Sequence, residues 1–143
     1  MDKIRFEERI GEESEKIVKI YINERSFIDL VKEYETSFAG SIAGDYAWLW
    51  SDVVFLPSRH FLGEPIYELD FYNGKSAVLG CECGIVECWP LVAKITLTQD
   101  TVTWSDFEQP HRGPESAGGH WDYRTFGPFV FDRKEYESQL SKG

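Results

Sequence analysis

Long apolar runs, basic residues and sulfur are all scarce in this chain. No apolar run approaches the roughly 20 residues that a membrane-spanning helix needs, so no membrane partner is expected. Lysine and arginine number 15 against 25 aspartates and glutamates, for a formal net charge of -10. A surface with that balance repels phosphate, which disfavours nucleic acid and anionic lipid as partners. The first residues, Met1-Asp2-Lys3-Ile4-Arg5-Phe6-Glu7-Glu8, are charged where a signal peptide would carry an apolar core, and the expected location is cytoplasmic. Only three cysteines occur, an odd number that suits a reducing compartment, where they stay thiols or bind metal. No established catalytic signature is present.

Apolar material is not lacking. Hydrophobic residues make up 42% and aromatic residues 15% of 143 positions, enough for one core without staples, and residues 1–143 read as a single domain. Ile4 and Phe6 alternate with charged neighbours, and Val18, Ile20 and Ile22 alternate with Lys19 and Tyr21, so the chain opens as a two-stranded hairpin. The period then lengthens. Phe27, Leu30, Val31, Tyr34 and Phe38 predict a helix over about 26–37, capped by Ser26, with Asp29, Lys32, Glu33 and Glu35 on its solvated face. Residues 39–64 read as irregular, with one short helix or strand at most.

From Pro65 the reading is mostly strand. Tyr67, Leu69 and Phe71 lead into Asn73-Gly74, the strongest short hairpin signal, and Ser76 to Cys83 returns with Ala77, Leu79, Cys81 and Cys83 on one face. Trp89, Leu91, Ala93, Ile95 and Leu97 line the next strand, Gln99-Asp100 turns, and Val102 and Trp104 follow. A loop over Gln109–His120 and an extended stretch over Trp121–Phe131 come next. Asp132 then caps a final helix over about 132–141, with Glu135 at the capping-box position and Tyr136 and Leu140 facing the sheet. The expected architecture is α+β: a single antiparallel sheet, a meander of about four to six strands, with the two helices packed on it.

All the cysteines fall within Gly80-Cys81-Glu82-Cys83-Gly84-Ile85-Val86-Glu87-Cys88-Trp89-Pro90-Leu91. Cys81, Cys83 and Cys88 offer thiolates to zinc, and Gly84 permits a knuckle in which backbone N–H groups face sulfur. Zinc takes four tetrahedral ligands, and His111 is a better fourth than His120 or His60 because it ends the strand after Trp104. In a flat strand, however, C-x-C sets its side chains about 7 Å apart, too far for one zinc, so a bulge or turn is required. The alternative is a β-turn region whose thiols pack toward the core as small hydrophobes. A thiol nucleophile with His111 as base, oriented by Asp106 or Glu108, is a further reading. Asp106 and Glu108 as paired hydrolytic carboxylates is another, although acidic pairs on strands are usually solvated.

A second dense stretch is Trp104-Ser105-Asp106-Phe107-Glu108-Gln109-Pro110-His111-Arg112. His111 and Arg112 at a strand exit, with Asp106 and the indoles of Trp89, Trp104 and Trp121 nearby, form a candidate site for an anion or carboxylate. The bland alternative pairs Arg112 with one of the many acids and sets His111 on a backbone carbonyl.

These two stretches, with Gly127-Pro128-Phe129-Val130-Phe131-Asp132 and Phe55-Leu56-Pro57-Ser58-Arg59-His60-Phe61-Leu62-Gly63, resemble a family of small uncharacterised bacterial proteins. The resemblance covers most of the chain, including Tyr136 in the closing helix, and implies no activity, cofactor or site. The family pattern carries glycine where this chain has Glu87, so a tight glycine turn is not implied there.

The functional expectation is a non-enzymatic, acidic protein-binding domain, of immunity or inhibitor type in one concrete form, that meets a basic partner protein. The alternative is an enzyme or zinc-binding protein with its site between Cys81–Cys88 and Gln109–Arg112.

Overall fold

The structure of the chain, a computed structural model, describes residues 1–66 and 72–141. The protein is α+β, and among the described residues its strands form two antiparallel sheets of four strands each rather than one. The first sheet is built on the expected hairpin, β1 (Ile4–Ile10) and β2 (Lys16–Ile22), paired in register from Ile4 opposite Ile22 to Ile10 opposite Lys16. Both further strands of this sheet pair with β2, at its two ends: β3 (Arg25–Ser26) meets Tyr21 and Ile22, and β4 (Leu49–Trp50) meets Ile17 and Val18. The second sheet runs β5 (Ser76–Leu79), β6 (Leu91–Leu97), β7 (Thr101–Glu108) and β8 (Phe129–Asp132) in sequence order, the expected meander.

The single-sheet expectation fails because alternation shows that a strand has one apolar face but not which sheet it joins. An apolar face of each sheet packs into a shared core, and on the second sheet Ala77 and Val92 pack with Tyr72 in a separate smaller cluster. Phe6, Val18 and Ile20 from the first sheet and Leu91, Val102 and Trp104 from the second belong to one contiguous cluster. Two short backbone straps join the sheets. Asp2 pairs with Phe131, its N–H donating to Val130 O at 2.8 Å, and Ala47 pairs with Gly80 through two bonds of 2.8 and 2.9 Å.

Helix α1 (Phe27–Ala39) follows β3 directly. Its buried ladder is Phe27, Val31 and Glu35, at i, i+4 and i+8, while Phe38 is exposed. Glu35 therefore does not lie on the solvated face as expected. Residues 40–62 hold β4, the single-turn α2 (Ser51–Val54) and 3-10 turns at Gly40–Ile42 and His60–Leu62. Asn73 and Gly74 both take positive φ, 52° and 77°, and Lys75 N–H bonds Tyr72 O at 2.9 Å, a two-residue turn of the type this dipeptide favours. The strand expected over 67–71 lies outside the described residues. Helix α3 (Arg133–Leu140) is capped as expected, Glu135 N–H donating to the Asp132 carboxylate at 3.0 Å. Tyr136 and Leu140 are buried beneath it.

Candidate functional site

The cysteine stretch leaves the sheet at Gly80, where the strap to Ala47 ends β5. Cys81 to Gly84 then forms a turn, closed by Gly84 N–H to Cys81 O at 3.0 Å, with Gly84 at φ 90°. The continued alternation expected through Cys83 is broken here, so the thiols do not share the core face of Ala77 and Leu79. Cys83 and Cys88 are exposed and Cys81 is half-buried. The expected knuckle is present: Cys83 N–H points at Cys81 Sγ (3.5 Å) and Ile85 N–H at Cys83 Sγ (3.4 Å). The Cys83 thiol itself donates to Ile85 O at 3.7 Å. The Ile85 amide, then the neighbouring Cys81 and Cys88 thiols, hold the Cys83 thiol below its ordinary range, whereas burial raises Cys81 and the nearby Cys83 raises Cys88.

The structure does not bring His111 together with the three thiols as a set of ligands. Among the described residues no group of three or more histidine, cysteine, aspartate or glutamate side chains is arranged to hold a metal ion. His111 Nε2 sits 2.9 Å from Glu87 O, as the backbone-carbonyl reading held. His60 is wholly buried, with Nδ1 accepting from Ile66 N–H at 3.1 Å. Nε2 must then carry the proton that it gives Ala77 O at 2.7 Å. Burial holds the His60 pKa below its usual value. His120 is exposed.

Four of the six proposed anion-binding residues do come together. The Trp89 and His111 rings stack at 6.0 Å and 6°, Trp121 meets Trp89 edge-on at 5.5 Å, and the Arg112 guanidinium lies 4.8 Å from the Trp89 ring centroid. Among the described residues Arg112 pairs with no carboxylate, and its Nη1 donates to His111 O at 2.9 Å. Trp104 is elsewhere, wholly buried, its indole N–H bonding Tyr136 Oη at 3.0 Å. Asp106 is exposed on a β-bulge, and its φ of 51° lets the strand turn Phe107 inward in its place. The bulge also takes Asp106 off the inward face of β7 that Trp104 and Phe107 occupy. Glu108 pairs with Lys75 at 2.8 Å. The Trp89 stack thus clamps the C-terminal end of the cysteine loop to the 3-10 turn at Pro110–Arg112.

Two features were missed from the sequence. The first is a wholly buried polar cluster. The Glu35 carboxylate accepts from Gly44 N–H (2.8 Å), Tyr46 Oη–H (2.6 Å) and Tyr123 Oη–H (2.5 Å). Gln109 Nε2 bonds Tyr46 Oη at 3.3 Å, and Gln109 Oε1 accepts from His111 N–H at 3.1 Å, so the cluster reaches the loop that clamps Trp89. Burial raises the Glu35 pKa against the opposing effect of these donors, and raises both phenols. The i, i+4 spacing from Phe27 and Val31 was the signal for Glu35, masked by its charge.

The second is a groove of about 1130 Å³ between the β1–β2 turn and the cysteine loop, floored by Trp48, Leu49 and Trp50. Glu12, Glu13 and Glu15 stand on one bank, and Glu82 and Glu87 on the other. No lysine or arginine lines it among the described residues. Trp50 is 55% exposed and Ile85, on the loop bank, 57%.

No protein-family model matches this sequence, and comparison with curated proteins and with solved structures finds no match. Among the described residues no helix is long and apolar enough to cross a membrane.

Proposed function

We propose that this protein is a non-enzymatic binding domain that receives a basic, apolar-faced segment of a partner protein in the groove between the β1–β2 turn and the cysteine loop. The observation that carries the proposal is the composition of that groove, an indole floor between two glutamate banks with no lysine or arginine lining it among the described residues. Exposed apolar side chains ringed by charge of one sign suit a partner that supplies both contacts at once. Lysines or arginines would meet the banks, and the aliphatic side chains between them would cover Trp50 and Ile85. The net charge of -10 adds long-range attraction for such a partner and speeds encounter. Neutralising a basic protein, as an immunity protein or inhibitor does, is one use this chemistry supports.

The test is fluorescence anisotropy with a labelled peptide in which lysine alternates with leucine. Binding is expected to weaken with added salt, since exposed charges are screened. Trp50→Ala should weaken it about tenfold, and the triple reversal E12K/E13K/E15K about a hundredfold, the range expected when hot-spot and charge contacts are lost. A peptide with glutamate in place of lysine should not bind. Equal affinity for the two peptides, or indifference to both sets of substitutions, would overturn the proposal.

A further inference from the structure

The cysteine loop, which is also one bank of the groove, carries a second chemistry that can be tested without a peptide. Its three thiols occupy one turn, and they are not equivalent. Cys83 is the exposed central one, with the Ile85 amide pointing at its sulfur from 3.4 Å and its thiol donating to Ile85 O at 3.7 Å. Cys88 is also exposed, and its amide bonds the same Ile85 O at 3.1 Å, which holds it close to Cys83. Cys81 is half-buried, and its sulfur already faces the Cys83 amide. An amide N–H aimed at the sulfur favours the thiolate, which is the form that reacts. A second exposed thiol, on a residue held against the same carbonyl, needs only a loop movement to come to bonding distance.

We propose that Cys83 is an oxidisable thiol, with Cys88 as its resolving partner, and that a hydroperoxide closes a disulfide between them. The Cys83 thiolate attacks one oxygen of the hydroperoxide. An S–O bond forms, the O–O bond breaks, and the departing alkoxide or hydroxide takes up a proton to leave as alcohol or water. The Cys88 thiolate then attacks the resulting sulfenic acid. The S–S bond forms, the S–O bond breaks, and the expelled hydroxide is protonated to a second water. Two thiols lose two electrons in total, and the hydroperoxide gains them. His111 has no part in this, because activation comes from the loop's own amide and thiols.

The sequence supplies a convenient assay. Cleavage after glutamate at Glu82 and Glu87 places Cys81, Cys83 and Cys88 on three different peptides. Full-length reduced protein is treated with stoichiometric hydrogen peroxide, quenched by alkylation and digested. The expected product has lost about 2 Da, the two hydrogens of an intramolecular disulfide, and joins the Cys83 peptide to the Cys88 peptide while Cys81 is alkylated. In Cys88→Ser the Cys83 sulfenic acid should persist and be trapped by dimedone. In Cys83→Ser both remaining thiols should stay alkylatable over the same exposure. These positions are exposed, and circular dichroism of each variant checks that it is folded. Three results would each sink the proposal: a link between Cys81 and Cys83 or between Cys81 and Cys88, intermolecular disulfides as the main product, or oxidation of Cys83 no faster than that of Cys88 in Cys83→Ser. Cys81 and Cys83 also line the groove, but no peptide is present in the oxidation assay, so its outcome and that of peptide binding are read separately.

Discussion

At the residue scale, Glu35 and His60 are charge-bearing side chains that the fold encloses completely, and they respond to pH in opposite senses. Burial raises the folded-state pKa of Glu35 above its ordinary carboxylate value. The folded chain therefore holds the proton more tightly than the unfolded one. The stability that Glu35 contributes is full below the unfolded value of about 4.3 and is lost as pH rises through the folded value. Burial lowers the folded-state pKa of His60. Its contribution is full above the unfolded value of about 6.5 and is lost as pH falls toward the folded one. The comparison to make is therefore a difference profile, thermal unfolding of wild type against Glu35→Gln and against His60→Asn across pH. The advantage of wild type over Glu35→Gln should shrink as pH rises, and its advantage over His60→Asn should shrink as pH falls below about 6.5. A pH-independent difference in either pair would show that the group titrates alike in the folded and unfolded chain. Neither burial was legible in the sequence. Glu35 stands at the helical spacing of a core position, but its charge argued for solvent, and the phenols that satisfy it come from positions 11 and 88 residues along the chain. His60 lay in a stretch whose periodicity specified no element.

At the scale of elements, sequence pattern was most informative where local chemistry alone decides the structure. Asp132 with Glu135 specified the start of α3, and the bond predicted there is made. Replacing Asp132 with Ala leaves the Glu135 amide without that acceptor and should cost about 1 kcal/mol, read as a lower unfolding midpoint in urea with unchanged slope. A changed slope would mean that more than the cap was lost. The β1–β2 hairpin and the Asn73-Gly74 turn were legible for the same reason. Alternation misled wherever one residue broke the pleat. The bulge at Asp106 exchanged the inward positions of β7, and the turn after Gly80 carried the cysteines away from the core. Both are backbone events that no count of apolar residues registers. The candidate anion site was half legible. Trp89, His111, Arg112 and Trp121 meet because the turn at Gln109 folds back on the cysteine loop, whereas Trp104 was already committed to the core.

For the molecule as a whole, the division into two sheets was invisible in sequence, because it depends on which strands share an edge across long separations. That division also leaves the groove, whose banks come from the turn of one sheet and the exit loop of the other. Its floor includes both residues of the Ala47–Gly80 strap, so the structure contains its own timer for motion there. The two strap amides are the hydrogens that must be released before the sheets can part at this end. Their exchange with deuterium should be slow, matched to one another and faster than that of the core of β6, since a two-bond strap opens without global unfolding. A peptide seated in the groove should slow both amides together, whereas exchange as rapid as that of exposed loop amides would mean that the strap is not closed in solution. Ligand capture would then be visible as a delay in two backbone protons whose acceptors lie within the protein itself.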